Sequence, residues 1–311
     1  GAAASAVGHP AIPHGCADDG WEGDRQGTAN WRPMTPTATA PALSPSEAAQ
    51  RLRVAPSAAR PAHVISMANQ KGGVAKTTST VNLSAALKEQ GKRVLAIDLD
   101  PQSNLTMSFG INPETLERSM FDVLVHREPI VNIIHQREVD VAAASIDLAG
   151  AELALASAIG RERTLEKAIA AVRMDYDYIL IDTPPSLGLL TINAFTASNG
   201  VIVPVQCEYL SLRGLVQLES TLQMIRENLN GEVRIEGILP TMVDKRTVHA
   251  REAIDLLTEN FGDIVFKTRI RKSVKLAEAP VRGGSVLSYQ PDGPGAMSYR
   301  ALAEEVLSRD E

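Results

Sequence analysis

Eight residues constrain this chain more than any others: KGGVAKTT at positions 71–78. A short apolar run over 64–68 leads into them, and Val81, Leu83 and Leu87 follow at helical spacing over 76–90, with Gly91 as the stop. A glycine turn between a buried strand and a helix gathers backbone N–H groups at the positive end of the helix, which suits a phosphate. Gly72 and Gly73 let the backbone approach it, and Val74 and Ala75 complete the loop. Lys76 is expected to reach the β- and γ-phosphates, Thr77 to ligate Mg²⁺, and Thr78 to bond a phosphate oxygen nearer the base. The common spacing GxxxxGK[ST] is not met, because its glycine positions are Gln70 and Ala75. What matches is the variant KGGxxK[ST], with Lys71 just ahead of the glycines. Alone, Gly-Gly-x-x-Lys also describes a solvated turn; the surrounding strand, helix and acids argue against that.

The rest of the chain keeps the rhythm of strand and helix. Strands are expected over 93–98, 139–143, 178–182, 200–206 and 234–240. Helices are expected over 161–174, 211–228, 248–261 and 296–308. Fully apolar strands alternating with helices predict an α/β fold, a mostly parallel central sheet with helices on both faces. Ligands of such sheets sit at the carboxyl ends of the strands, where the glycine loop falls.

Two further strands end in acids: IDLDPQ at 97–102 and LIDTPPS at 180–186. A carboxylate after a buried strand is costly to desolvate without a partner such as Mg²⁺ or its waters. Asp182 is therefore expected to hold a Mg²⁺ water and Asp98 to sit close to the metal. Asp100 is expected to orient the attacking water. One such aspartate is commonly a cap or turn former; three beside one phosphate loop suffice in kind for phosphoryl transfer.

Composition sets the outer limits. Before residue 63 apolar residues are sparse and eight prolines fall among Ala, Ser and Thr. Such a stretch buries too little to offset its ordering entropy, so 1–62 is expected to be a disordered tail, with a short helix over 46–53. The 311 residues carry a net charge of -6, so a nucleic-acid surface has to be a local patch. Two cysteines make no disulfide framework and point to a reducing cytoplasm. Neither a signal-peptide pattern nor a membrane-spanning run is visible.

The chain from about 64 to 307 resembles the ParA/Soj-type partitioning ATPases, of the MinD/ParA superfamily with a deviant phosphate loop. The matching text runs in order through NQKGGVAKTT, VNLSAAL, IDLDPQSN, DLAGAE, DYILIDTPPSLG, PVQCEYLSLRGL, PTMVDKRT, KLAEAP and GAMSYRALAEEV. The resemblance implies slow hydrolysis of ATP with Mg²⁺ in a homodimer that sandwiches nucleotide, Lys71 crossing to the other subunit's phosphates. It also implies non-specific binding of double-stranded DNA when ATP is bound, release stimulated by a ParB-type partner, no membrane partner, and a cytoplasmic, nucleoid-associated location. It places the adenine contact near 240–244, at Pro240 and Met242. Ala75 departs from the family, where most members have glycine: a negative φ there would tolerate the methyl, and a positive φ would strain the loop.

The stretch 267–275 (KTRIRKSVK) carries Lys267, Arg269, Arg271, Lys272 and Lys275. Residues alone leave it balanced between a solvated basic edge and a phosphate-binding patch; the resemblance favours DNA, with the duplex backbone as target. Glu208 and Tyr209 are possible switch or interface residues, and Cys207 is expected to be a small buried hydrophobe. A MinD-like membrane relative would end in a basic amphipathic helix; this chain ends in the acidic LAEEVLSRDE. A nitrogenase-iron-protein relative would need two suitable cysteines in each subunit. A non-enzymatic scaffold switched by ATP is the remaining alternative.

Overall fold

The computed structural model describes residues 60–207, 212–244 and 247–310. The tail expected over 1–62 lies outside these residues up to position 59, as do Glu208 and Tyr209. Ala62 is already buried, its amide donating to the Arg173 carbonyl at 2.7 Å.

Seven strands make one sheet: β1 (His63–Met67), β2 (Val94–Asp98), β3 (Ile134–Gln136), β4 (Asp140–Ala142), β5 (Tyr178–Asp182), β6 (Gly200–Gln206) and β7 (Arg234–Thr241). Their order is β3-β4-β2-β5-β1-β6-β7. Every pairing is parallel except β3 with β4. The chain builds outward on one side of β1, returns through β5, and then builds outward on the other side through β6 and β7. The loop after β1 therefore opens where the winding reverses, the usual ligand crevice of such sheets.

Successive residues of the central strands enter different cores, as the two-residue period of a strand requires. Val64, Leu95, Ile97, Ile179 and Ile181 join one cluster; Ile65, Met67, Ala96 and Leu180 join the other. The first cluster is closed by α3 (Thr164–Ala170), α4 (Leu189–Ala197) and α5 (Leu212–Asn228), with Leu257 of α6 (Val248–Phe261). The second is closed by α1 (Lys76–Glu89), α2 (Asn104–Ser108) and α7 (Pro294–Asp310). Each fully buried Leu or Ile adds about 1.5–3 kcal/mol of transfer free energy. The side chains of α1 and α7 also bond to each other, Ser79 Oγ to Tyr299 Oη at 3.2 Å and Arg300 to Glu89 at 2.6 Å.

The expected helix over 161–174 is shorter than its periodicity suggested. A 3₁₀ turn at Arg161–Arg163 precedes α3, which ends at Ala170. Tertiary bonds override local preference there: Arg173 turns its guanidinium to the Ala62 carbonyl at 3.3 Å and to Asn199 Oδ1 at 2.9 Å. The antiparallel edge strand β3 and the helices α2 and α4 add to the expected elements.

Candidate active site

The loop between β1 and α1 is shaped by two left-handed residues, Gly73 at φ 71 and Ala75 at φ 69. Glycine suits the first without strain. The methyl of Ala75 costs about 1–2 kcal/mol in this conformation, so the strained alternative is the one realised. A Cβ placed on Gly72 or Gly73 would have no protein atom within 4 Å. The protein itself thus does not require a bare Cα at Gly72; room for an approaching group does. Helix α1 starts without a side-chain cap and without an acid in its first turn, which leaves its first amides directed at that space.

Lys76 is buried and hydrogen-bonds the Lys71 carbonyl at 3.4 Å. Burial pulls its pKa down, against the opposing fields of Asp182 and Asp100. One residue on, the Thr77 hydroxyl donates to Asp182 Oδ2 at 2.6 Å, and Thr80 reaches the other oxygen at 3.4 Å. Thr77 faces the cleft and Asp182 lies fully buried behind it. Burial, with the charge of Asp98 added, raises Asp182 to about 8.

Asp98, its register neighbour across β2 and β5, is held by hydrogen bonds to the loop that follows it. Its Oδ2 accepts from the Thr106 amide at 2.8 Å and hydroxyl at 2.7 Å, and its Oδ1 accepts from the Asp100 amide at 3.1 Å. Thr106 Oγ1 in turn accepts from the Ala144 amide at 2.9 Å. Asp98 is therefore turned into the loop and does not line the cleft: it ties β2, α2 and the end of β4 together. Burial raises it to about 6. Asp100 does line the cleft, held by a turn in which its Oδ1 accepts from the Gln102 amide at 3.0 Å.

These residues surround a cavity of about 670 Å³. It gathers Gly72, Gly73, Ala75, Lys76, Thr77, Thr78, Asp100 and Met242 from the expected set. Besides Lys71, Asp98 and Asp182, two expected members are absent from this lining. Pro240 lies within β7, buried, with its carbonyl bonded to the Ile270 amide at 2.9 Å. Val74 is buried, and its carbonyl accepts from Thr241 Oγ1 at 3.0 Å. The cleft also takes Gln102, Asn104, Met107, Pro185, Pro280 and Val281, none of which had been assigned. Val281 is 85% exposed, an apolar side chain standing open at the rim. Three of these six lie in IDLDPQSN or LIDTPPS and one in KLAEAP, but only the folded chain shows that they converge.

Lys71 lies outside the cleft lining. Its amide is held by Asn69 Oδ1 at 2.9 Å, and its Nζ donates to Gln206 Oε1 at 3.3 Å, on the β6 side. The five basic residues of 267–275 are all exposed, along a segment that pairs with the end of β7. Lys275 is already bonded to Glu278 at 2.8 Å.

Residues 62–235 match the AAA_31 family, described as an AAA domain, over more than half of the chain. The sporulation initiation inhibitor protein Soj of Bacillus subtilis is 48% identical over 248 residues, covering 79% of this chain and 98% of Soj. The chromosome partitioning protein ParA of Caulobacter vibrioides is 41% identical over 257 residues, 81% of this chain and 96% of that protein. The chain belongs to the ParA/Soj family. Solved structures similar to this ParA/Soj-family protein include a Mycobacterium smegmatis protein described as cobyrinic acid a,c-diamide synthase with a bound ATP analog and magnesium. It has a TM-score of 0.70 and 38% identity over 79% of this chain and 94% of its own. The septum site-determining protein MinD of Pyrococcus horikoshii, complexed with Mg-ADP, has a TM-score of 0.64 and 25% identity, covering 79% and 96%. Among the described residues no helix is long and apolar enough to cross a membrane.

Proposed function

We propose that this ParA/Soj-family chain is a Mg²⁺-dependent ATPase that works as a nucleotide-sandwich dimer on DNA. The observation that carries it is the open cradle at Gly72 and Gly73, at the uncapped start of α1, with Lys76 beside it and Thr77 bonded to Asp182 behind. Backbone amides and the Lys76 ammonium would hold the β- and γ-phosphates. The Thr77 hydroxyl with the buried Asp182 carboxylate behind it is a hard-oxygen pair that fits Mg²⁺. Thr77 would touch it directly and Asp182 through water. The ion neutralises charge that builds on the phosphate oxygens during transfer.

Asp100 would orient a water for in-line attack on the γ-phosphorus, so that a new P–O bond forms as the bond to the β-phosphate oxygen breaks. ADP and inorganic phosphate leave. Met242, Pro280 and Val281 would wall the base. Lys71 points away from its own cleft, which supports its action on the phosphates of a second copy. The exposed cations of 267–275 would contact phosphates of a DNA duplex, and a ParB-type protein would stimulate release. The relatives named for chromosome partitioning are 39–41% identical, which supports a chromosomal cargo and a nucleoid location.

DNA retention measured with ATP, ADP and no nucleotide, for wild type and Lys71→Ala, tests the set. We expect retention with ATP only, lost in the variant by at least about tenfold. Equal retention in all three states would overturn the switch.

A further inference from the structure

The basic segment and the cleft are parts of one hydrogen-bonded unit. Ile270 is buried between the exposed Arg269 and Arg271. Its amide donates to the Pro240 carbonyl at 2.9 Å, and its carbonyl accepts from the Val243 amide at 3.0 Å. These two bonds straddle Met242, which lines the cleft in a left-handed conformation at φ 52. From Ile270 the chain passes Arg271, Lys272 and Lys275 and then returns to the same cleft at Pro280 and Val281.

The return is fixed from behind. A Cβ on Gly283 would lie 3.2 Å from the Gly110 Cα, so the two backbones already touch. The Ser285 amide and hydroxyl donate to Glu138 at 2.7 and 2.6 Å. Ahead of Ile270, Glu305 of α7 accepts from the amides of Lys267 at 2.8 Å and Thr268 at 3.0 Å. The stretch 270–281 is thus a strap: one end is bonded on either side of the cleft residue Met242, the other end lines the cleft at Pro280 and Val281, and the middle carries exposed cations.

We propose that Ile270 and the strap 270–281 are the element that couples nucleotide in the cleft to the cations facing DNA. This rests on reading the cleft as a nucleotide site and 267–275 as a DNA surface. A ligand shifts an equilibrium only through contacts that differ between states. A base held between Met242 and Val281 would touch one end of the strap directly and the other through the backbone bonds of Ile270 to Pro240 and Val243. Fixing both ends orders Arg271 and Lys272 before DNA arrives and removes part of the entropy lost on phosphate contact. Glu305 holds the amides of Lys267 and Thr268 independently of the cleft, so those two positions respond least.

Amide hydrogen exchange of the full chain, with Mg²⁺ and ATPγS against no nucleotide and without DNA, tests this. We expect slowing by at least about threefold in peptides covering 268–276 as well as in those covering 70–78. The slowing at 268–276 should persist over a hundredfold dilution of protein, because the coupling acts within one chain. In Glu138→Ala at saturating nucleotide, which frees the return of the strap at Ser285, slowing at 70–78 should remain while that at 268–276 falls below about a third of the wild-type effect. Slowing confined to 70–78 overturns the coupling and leaves the nucleotide site intact. Slowing at 268–276 that disappears on dilution assigns it to dimer contact and also overturns the coupling. No slowing at 70–78 removes the nucleotide site, and the coupling with it.

Discussion

Ala75 shows what one methyl does at a phosphate loop. In the left-handed conformation at φ 69 it costs about 1–2 kcal/mol relative to glycine. Glycine would return part of that as extra freedom of the unfolded chain. Ala75→Gly is therefore expected to stabilise the protein by about 0.5–1 kcal/mol, read as a higher urea midpoint at unchanged slope. An unchanged or lower midpoint would show that the loop carries no such strain. The buried acids give a second expectation. Asp98 and Asp182 have folded-state values of about 6 and about 8, above the ordinary 3.8. Raised values mean the protonated forms are favoured by folding, so their stabilisation is complete below pH 3.8 and is lost as pH rises through about 6 and then about 8. Without ligand the melting temperature should fall from pH 5 to pH 9, and Mg²⁺ with nucleotide should flatten the fall; a rise over that range would contradict the assignment. The glycines, Lys76 and Thr77 were legible because strand, loop and helix are contiguous in the chain. Asp98 was not, because its orientation depends on Thr106, eight residues on, and on Ala144.

Among the elements, the strands were legible where they are apolar along their whole length. Helix α4 was not, since seven of its nine residues are buried and no polar stripe marks a solvent side. The edge strand β3, three residues of IHQ, carries too little pattern to register. Pro240 was expected at the base because the resemblance places the adenine contact near 240–244; it lies inside β7, as the expected strand over 234–240 already implied, and of that stretch Met242 lines the cleft. The outer edge of β7 also depends on a glycine. A Cβ on Gly237 would overlap the Phe266 ring, which is buried against that strand and covered by the Arg309 guanidinium 4.1 Å from its centroid. Gly237→Ala should cost about 3 kcal/mol by overpacking and expose the segment that carries the cations. Gly237→Ala with Phe266→Leu should recover part of it. If the single variant is as stable as wild type, the ring is not locked as described.

For the whole molecule, a net charge of -6 coexists with five exposed cations between 267 and 275. Lys275 is bonded to Glu278, so on the proposed reading four cations per protomer would face DNA. A dimer presents about eight, so the log–log dependence of DNA affinity on salt should have a slope of about −7. A slope near zero would place the contact on other chemistry. The mostly parallel sheet with two covered faces was readable from alternation alone. The convergence of Met107, Met242 and Val281 on one cleft was not, because these positions are brought together only by the winding of the sheet.

The pairing of α1 with α7 also has a consequence for how the protein is made. The phosphate loop and its helix are synthesised about two hundred residues before Pro294–Asp310. Until then Leu83 and Leu87 lack Tyr299, Leu302 and Val306, the side chains that close their cluster. The nucleotide site is therefore translated well before the helix that completes its packing, and for that interval the nascent chain carries an uncovered apolar face of the kind that chaperones bind.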